Sequence, residues 1–258
     1  MDFTLKIYKE LLMTFIAKGY EFFTFEEYCE GNRAERFVVL RHDVEKKIAN
    51  AETVAHLEKS LGINASYYFR DVPQSWNAQI IKQIATMGHE VGYHYETLSI
   101  CNGDVDAAYN LFCETLDRLR AIVDVQTISM HGSPQSKYDN RDIWKKYDYS
   151  ALGIIGEPYF DTDFSDLFYL TDTGRRWDGY KVSLRDKIPQ YQDQWSAQGL
   201  VYHSTTDIIT ALNSGYLPHR LMITTHPQRW TDNITENFTE FCLQNTKNLI
   251  KRIIVRFR

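Results

Sequence analysis

Short apolar segments alternate with helical patterns along the chain, and this alternation constrains the fold more than any other feature. The apolar segments are Phe37–Leu40, Ala65–Phe69, Thr127–Met130 and Leu221–Thr224, and the segment His89–His94 alternates around Val91 as a strand does. Between them, apolar residues recur at helical spacing, as in the stretch around Val54. Because parallel strands need a long crossover between them, the alternation predicts an α/β fold with a parallel sheet.

The length and composition favour one domain over residues 1–258. The chain has 258 residues, 43% of them hydrophobic, which is enough for a single core. No repeat, low-complexity segment or linker divides the sequence. We expect residues 1–36 to form a helical lead-in, and residues 157–202 to form an irregular excursion over the face that carries the site.

Charge and cysteine content exclude several classes of protein. The net charge is -5 and the pI is about 5.9, so no basic field indicates binding to nucleic acid. The four cysteines are widely separated, which argues against a disulfide framework. The N-terminus lacks the pattern of a signal peptide, and no apolar run approaches a membrane span. These features predict a cytoplasmic protein.

Polar residues follow four of the predicted strands. Asp43 and Glu45 follow the first, His94 ends the third, and His131 and His226 follow two later strands. In parallel α/β folds the carboxyl ends of strands meet at one edge, where site residues collect. The sequence therefore predicts a single site that holds these five residues.

Asp43 and Glu45 are two positions apart, so an extended chain points both to the same side. Such a pair can divide two roles, one carboxylate binding a cation and the other taking a proton from water. The alternative is a solvated pair at the start of a helix, where acidic residues favour the positive end of the dipole.

Among the histidines, His94 is the best candidate for a metal ligand, since neutral imidazole binds zinc and similar ions. His131 and His226 suit proton transfer to a leaving amine, or either could be a third ligand. A histidine bonded to a loop backbone is the alternative for both. His89 lies five positions before His94, on the opposite side of the strand, and is interpreted as a packing residue.

Other catalytic motifs do not occur. The strings typical of a nucleophile elbow, a phosphate-binding loop, a dinucleotide-binding turn and a zincin helix are all missing from the sequence.

At these residues the chain resembles the polysaccharide deacetylases, carbohydrate esterases built on the chitooligosaccharide deacetylase homology domain. The string from Gly88 to His94 matches a Gly-His-Glu-x-Gly-x-His motif of that family. The resemblance implies a distorted (β/α)7-type barrel, with Asp43 as catalytic base, Glu45 and His94 as metal ligands and His226 as general acid. The strings around Asp43, His131 and His226 are similar to a divergent branch from bacterial O-antigen biosynthesis loci, including one in Bordetella.

The sequence departs from the family pattern at the metal site. Leu98 stands where the family has its second histidine ligand, and Glu45 where aspartate is usual. A substitute ligand is expected from Glu96, His131 or His42, and Glu96 is preferred because it lies two positions beyond His94. Zinc suits such a mixed ligand set, while manganese or cobalt tolerates more oxygen ligands.

Two further segments carry candidate binding residues. The substrate is expected to contact guanidinium and indole groups that suit anionic groups and sugar rings. These residues are Arg175, Arg176, Trp177, Arg229 and Trp230. An ordinary surface turn is the alternative for the first three. The basic and apolar C-terminal stretch is interpreted as a solvated helix face packed on the domain, or alternatively as a contact with an anionic membrane.

Together these features and the resemblance imply a metal-dependent N-deacetylase acting on an acetamido sugar in O-antigen or lipopolysaccharide biosynthesis. The alternatives for the substrate are a free, a nucleotide-linked and a lipid-linked sugar. Two alternatives remain open: an inactive carbohydrate-binding protein of the same fold, and another metal-dependent amidohydrolase.

Overall fold

The computed structural model describes residues 1–133, 135–177 and 187–256, with side chains described except at 247 and 249–256. Seven parallel strands in these residues form one sheet. They are β1 (Glu21–Phe23), β2 (Phe37–Val44), β3 (Ser66–Phe69), β4 (Glu90–Tyr95), β5 (Ile128–Met130), β6 (Phe168–Thr171) and β7 (Arg220–Thr225). The strand order is β5-β4-β3-β2-β7-β6, and β1 pairs with the first half of β2. The predicted α/β class with parallel pairing is confirmed.

Helices connect and cover these strands. They are α1 (Leu5–Ala17), α2 (Phe25–Cys29), α3 (Ile48–Ser60), α4 (Ala78–Thr86), α5 (Thr97–Ile100), α6 (Val105–Arg120), α7 (Pro189–Ala197), α8 (Thr205–Ser214) and α9 (Ile234–Arg256). No helix in the described part of the chain is long and apolar enough to cross a membrane.

Strand β2 lies at the centre of the sheet and is buried along its whole length. Its apolar first half, Phe37–Leu40, is typical of a parallel strand covered on both faces. The second half carries Arg41, His42 and Asp43, which are also buried. Buried polar and charged side chains need hydrogen-bonding partners. We therefore expect polar groups on both faces of the sheet around the second half of β2.

The sheet curls strongly, as a contact between two distant strands shows. Arg41 of β2 donates a hydrogen bond from Nη2 to Oγ of Ser129 on β5 at 2.8 Å, although two strands lie between them. In a flat sheet three strand spacings would separate these strands by about 14 Å. The curl brings their inner faces together, as expected for a distorted barrel of seven strands.

The barrel is open between its terminal strands β5 and β6 in the described residues. A short bridge between Thr127 and Gly156 extends the β5 edge toward this gap. Glu157, the next residue, is fully buried and accepts a hydrogen bond from the backbone N–H of Met130 at 3.0 Å. Side-chain and loop contacts therefore take the place of strand pairing here.

A buried polar cluster joins the outer face of β2 to the helices. The carboxylate of Glu58 on α3 accepts hydrogen bonds from Tyr8 at 2.5 Å and Tyr67 at 2.6 Å, and lies 2.8 Å from Nε2 of His42. His89 is held by backbone groups of Ala55 and Ala65. His42 and His89 thus serve packing on this face.

Two segments differ from their predicted organisation. Residues 1–36 include β1, so this lead-in joins the sheet instead of being only helical. Residues 157–202 contain β6 (Phe168–Thr171), which pairs with β7. The apolar run of β6 lies in a stretch with many turns and aromatic residues and has no helical pattern directly on either side, so the alternation that identified the other strands is missing there.

Candidate active site

The carboxyl ends of β2, β4, β5 and β7 bring five predicted residues into one cluster. Asp43 and Glu45 come from the end of β2, His94 from β4, His131 from the end of β5 and His226 from the end of β7. Four of the five are buried, while the side chain of Glu45 is 27% exposed. The cluster therefore has one partly accessible side at Glu45.

Three of these residues have the spacing of a metal site. One ligand atom each of Glu45, His94 and His131 lies within 4.8 Å of the other two. Oε1 of Glu45 lies 3.3 Å from Nε2 of His131. Two imidazoles and a carboxylate are a ligand set that zinc accepts in catalytic sites, where a further position stays open to water. The residues present thus fit a divalent cation.

A hydrogen bond to one ring nitrogen of His94 leaves the other nitrogen able to bind a metal. Its Nδ1 lies 3.0 Å from the backbone carbonyl oxygen of Ser129, which can only accept a hydrogen bond, so Nδ1 carries the proton. Nε2 consequently presents a lone pair on the side of Asp43, whose Oδ2 lies 3.8 Å away. Burial lowers the pKa of His94 to about 4, which keeps this imidazole neutral.

His131 is held between two carboxylates. Its Nδ1 lies 2.8 Å from Oε2 of Glu96, and its Nε2 faces Glu45. Although burial acts in the other direction, these two carboxylates raise the pKa of His131 to about 9. Glu96 is itself bonded to Arg70 and Ser133. A cation at this position would replace the proton that His131 shares with Glu45, and Glu96 on the remote ring nitrogen would orient the ligating histidine.

Asp43 is tethered by the arginine two residues before it. Nη2 of Arg41 donates to both carboxylate oxygens, at 3.0 and 2.9 Å. Burial would raise the pKa of Asp43, but the Arg41 guanidinium, with His94 and His226, brings it below its usual value. Asp43 is therefore an ionised carboxylate whose direction is fixed by Arg41.

His226 is oriented by Asp172, a carboxylate at the end of β6. Nδ1 of His226 lies 2.6 Å from Oδ1 of Asp172, while its Nε2 lies 3.8 Å from Oε1 of Glu45. Arg229 and Trp230 also donate hydrogen bonds to the Asp172 carboxylate. Burial and Arg229 lower the pKa of His226, but Asp172 raises it above its ordinary value overall.

Glu45, His94 and His131 form the ligand triad, and the other two candidates for the substitute ligand, Glu96 and His42, lie outside it. Glu96 faces Arg70 and the remote nitrogen of His131, so it supports a ligand instead of being one. His42 points to the other face of β2, toward Glu58. Leu98 is buried in α5. The strand ends after Tyr95, which removes the two-residue alternation that placed Glu96 beside His94.

The predicted substrate-binding residues do not form an open cleft. Trp177 and Trp230 are 2% and 1% exposed and pack with Phe3, so their ring faces are not available to a sugar. Arg175 is buried and donates to Oδ1 of Asn237. Of the other two, Arg229 holds Asp172 as described above, and Arg176 lies near His203.

Three functional residues were not predicted from the sequence: Asp172, which orients His226; Arg41, which holds Asp43; and Gln228, whose Nε2 donates to Oε2 of Glu45 at 3.0 Å. Asp172 directly follows the apolar run Phe168–Thr171, the same pattern that singled out the end of β2. This signal was present, but only the residues that follow it, Arg175 to Trp177, were interpreted as part of the site. The role of Gln228 depends on a contact between two strand ends that no local pattern encodes, whereas Arg41 precedes Asp43 at the two-residue spacing of a strand.

Comparisons with known proteins found no matching family model and no curated relative. The similar solved structures include carbohydrate esterases of family 4. A pseudoenzyme of that family from Bacillus anthracis has 14% identity and a TM-score of 0.44, over 83% of this chain and 61% of its own. A peptidoglycan N-acetylglucosamine deacetylase has 15% identity and a TM-score of 0.45, over 81% and 82%. PdaA of Bacillus subtilis has 11% identity and a TM-score of 0.41, over 91% and 84%. The chain thus spans less than two thirds of the pseudoenzyme.

Proposed function

We propose that this chain is a metal-dependent N-deacetylase that hydrolyses the acetamido group of a sugar. The observation that carries the proposal is the convergence of Glu45, His94 and His131 beside Asp43 and His226. A ligand triad with a carboxylate on one side and an oriented histidine on the other has the parts that amide hydrolysis requires.

The chain's own residues divide the proton transfers between them. Water adds to the acetyl carbonyl carbon while Asp43, held ionised by Arg41, takes a proton from that water. The C–N bond then breaks as His226 gives a proton to the sugar nitrogen, and acetate and an amino sugar leave. A divalent cation bound at such a triad supplies polarisation of the carbonyl and a lowered pKa of water.

For the metal we propose zinc, with manganese or cobalt as alternatives. Two imidazole nitrogens and one carboxylate oxygen are softer than the all-oxygen sets that magnesium and calcium prefer. The family that the sequence resembles has a second histidine ligand where this chain has Leu98. His131, from another strand, would supply the missing third ligand. Metal content of the purified protein, measured by elemental analysis, tests this choice.

For the substrate we propose an acetamido sugar on a nucleotide or lipid carrier of O-antigen biosynthesis. This finer statement rests on the sequence resemblance at Asp43, His131 and His226. Acetate release from nucleotide-linked and lipid-linked acetamido sugars is the test. If the protein binds zinc but releases acetate from neither class, the proposed substrate is wrong and another amide is the substrate.

Contact with an anionic membrane would suit a lipid-linked substrate, and α9 supports it. Its exposed residues include Ile234, Phe238 and Phe241, at 72%, 59% and 50% exposure and at helical spacing. Residues 241–258 contain five Lys or Arg and no acidic residue, in a chain of net charge -5. An apolar face combined with positive charge is typical of helices that lie on anionic membranes.

An inactive carbohydrate-binding protein is the second candidate, favoured by Leu98 at the position of the missing ligand. The experiment that separates the two is metal analysis combined with acetate release. Bound metal and acetate release support the deacetylase. A protein without metal or turnover that still binds glycan would establish the binder.

A further inference from the structure

Gln228 is a buried amide at the edge of the ligand triad. It is 1% exposed and lies in the 3₁₀ turn Pro227–Arg229, directly after His226. Its Nε2 donates to Oε2 of Glu45 at 3.0 Å. Its Oε1 has no hydrogen-bond partner in the described part of the chain. A buried acceptor without a partner lowers stability, so packing alone does not account for glutamine here.

Glu45 needs such a contact more than the other two ligands. A glutamate has one more side-chain torsion than the aspartate usual at such sites, and this one is partly exposed. Both histidine ligands are fixed by hydrogen bonds on their remote nitrogens, to Ser129 and Glu96. Gln228 is the corresponding contact for Glu45: it occupies Oε2 and leaves Oε1 on the side of His131 and His226.

We propose that Gln228 is a positioning residue that holds Glu45 in the conformation that binds the metal. The inference rests on the proposed function, in which Glu45 is a ligand. Gln228 lies two residues after His226, so one short stretch of chain carries the proton donor and also contacts the metal ligand Glu45. His226 is fixed to Asp172 and Gln228 to Glu45, so the distance between donor and ligand follows from the turn's backbone.

The test compares Gln228→Leu with a matched control, Gln244→Leu. Gln244 is also a buried glutamine, but its amide donates to Asn248 within α9. Zinc affinity of the full chain is measured by titration calorimetry, and folding by thermal melts. We expect Gln228→Leu to weaken zinc binding about 10- to 100-fold, as loss of a supporting contact typically does. Its melting temperature should not fall, since leucine removes the unpaired buried acceptor. Gln244→Leu should bind zinc like the wild type.

A double-mutant cycle with Glu45→Ala distinguishes positioning from general disruption. If Gln228 acts through Glu45, then Gln228→Leu has no further effect on zinc affinity in the Glu45→Ala background. Wild-type affinity in Gln228→Leu, or an equal loss in both backgrounds, would overturn the inference. A wild-type chain that binds no zinc would instead refute the proposed function.

Discussion

Oδ1 of Asp172 lies 2.6 Å from Nδ1 of His226, and both groups are buried. The carboxylate is itself fixed by Arg229 and Trp230, so it cannot turn away from the imidazole. A carboxylate on Nδ1 sets the tautomer of a histidine and stabilises its protonated form. The contact with Asp172 therefore stabilises the protonated form of His226, in which Nε2 carries a proton.

We expect Asp172→Asn to reduce the turnover number for acetate release about 10²- to 10⁴-fold, because an amide cannot stabilise the imidazolium. Zinc affinity should stay near that of the wild type, since Asp172 is outside the triad. Asp166→Asn is the control, because Asp166 pairs with Arg220 at the start of β7, the end of the sheet opposite the site. Equal loss of zinc and activity in Asp172→Asn would show a structural role only.

Asp43→Asn should abolish most acetate release while zinc remains bound. The side chain keeps its shape but can no longer accept a proton, and general-base catalysis contributes about 10²- to 10⁴-fold. Acetate release and bound zinc are measured on the same preparation. Turnover within threefold of the wild type would exclude Asp43 as the base.

The Glu58 cluster predicts a dependence of stability on pH that is separate from catalysis. Burial would raise the pKa of Glu58, but His42 and His89, with the Tyr67 hydrogen bond, bring it below the usual value. A carboxylate with a lowered folded-state pKa stabilises the fold above its unfolded pKa of about 4.3 and loses this contribution as the pH falls further.

We therefore expect Glu58→Gln to lower the free energy of unfolding at pH 7 by about 2 kcal/mol, as for a buried group that loses hydrogen bonds. Between pH 7 and 3 the melting temperature of the wild type should fall more steeply than that of the variant. Parallel curves would show that Glu58 is not ionised in the folded protein.

The exposed face of α9 predicts binding to vesicles that contain anionic lipid. The double variant Phe238→Ser and Phe241→Ser should reduce co-sedimentation with phosphatidylglycerol vesicles about tenfold or more, since it removes exposed apolar area. Tyr216→Ser, at a residue 79% exposed elsewhere, is the control. Wild-type protein that stays in the supernatant would contradict the membrane contact.

The parallel α/β fold could be predicted because most strands are buried runs separated by long helical patterns. The sequence also placed Asp43, Glu45, His94, His131 and His226 at one edge, since parallel strands share their direction. Strand β6 was not predicted, because its apolar run lies among turns and aromatic residues without the flanking helical patterns that identified the other strands.

The identity of the third ligand lay beyond sequence patterns. Glu96 follows His94 at the spacing of a strand, yet β4 ends at Tyr95 and the backbone turns. The choice between Glu96 and His131 depends on where a strand ends, and boundaries are the least predictable part of an element. The contacts of Asp172 with His226 and of Gln228 with Glu45 depend on which strands are neighbours in the sheet, β6 beside β7 and β7 beside β2, and short local patterns do not specify this order.

The metal triad is the central claim, and zinc titration of the metal-free chain tests it most directly. We expect one zinc ion per chain, and affinity reduced about 100-fold or more in Glu45→Ala, His94→Ala and His131→Ala. His56→Ala, at an exposed histidine on α3, should bind zinc like the wild type. A wild-type chain that binds no zinc, or three ligand variants that bind it as the wild type does, would contradict the account.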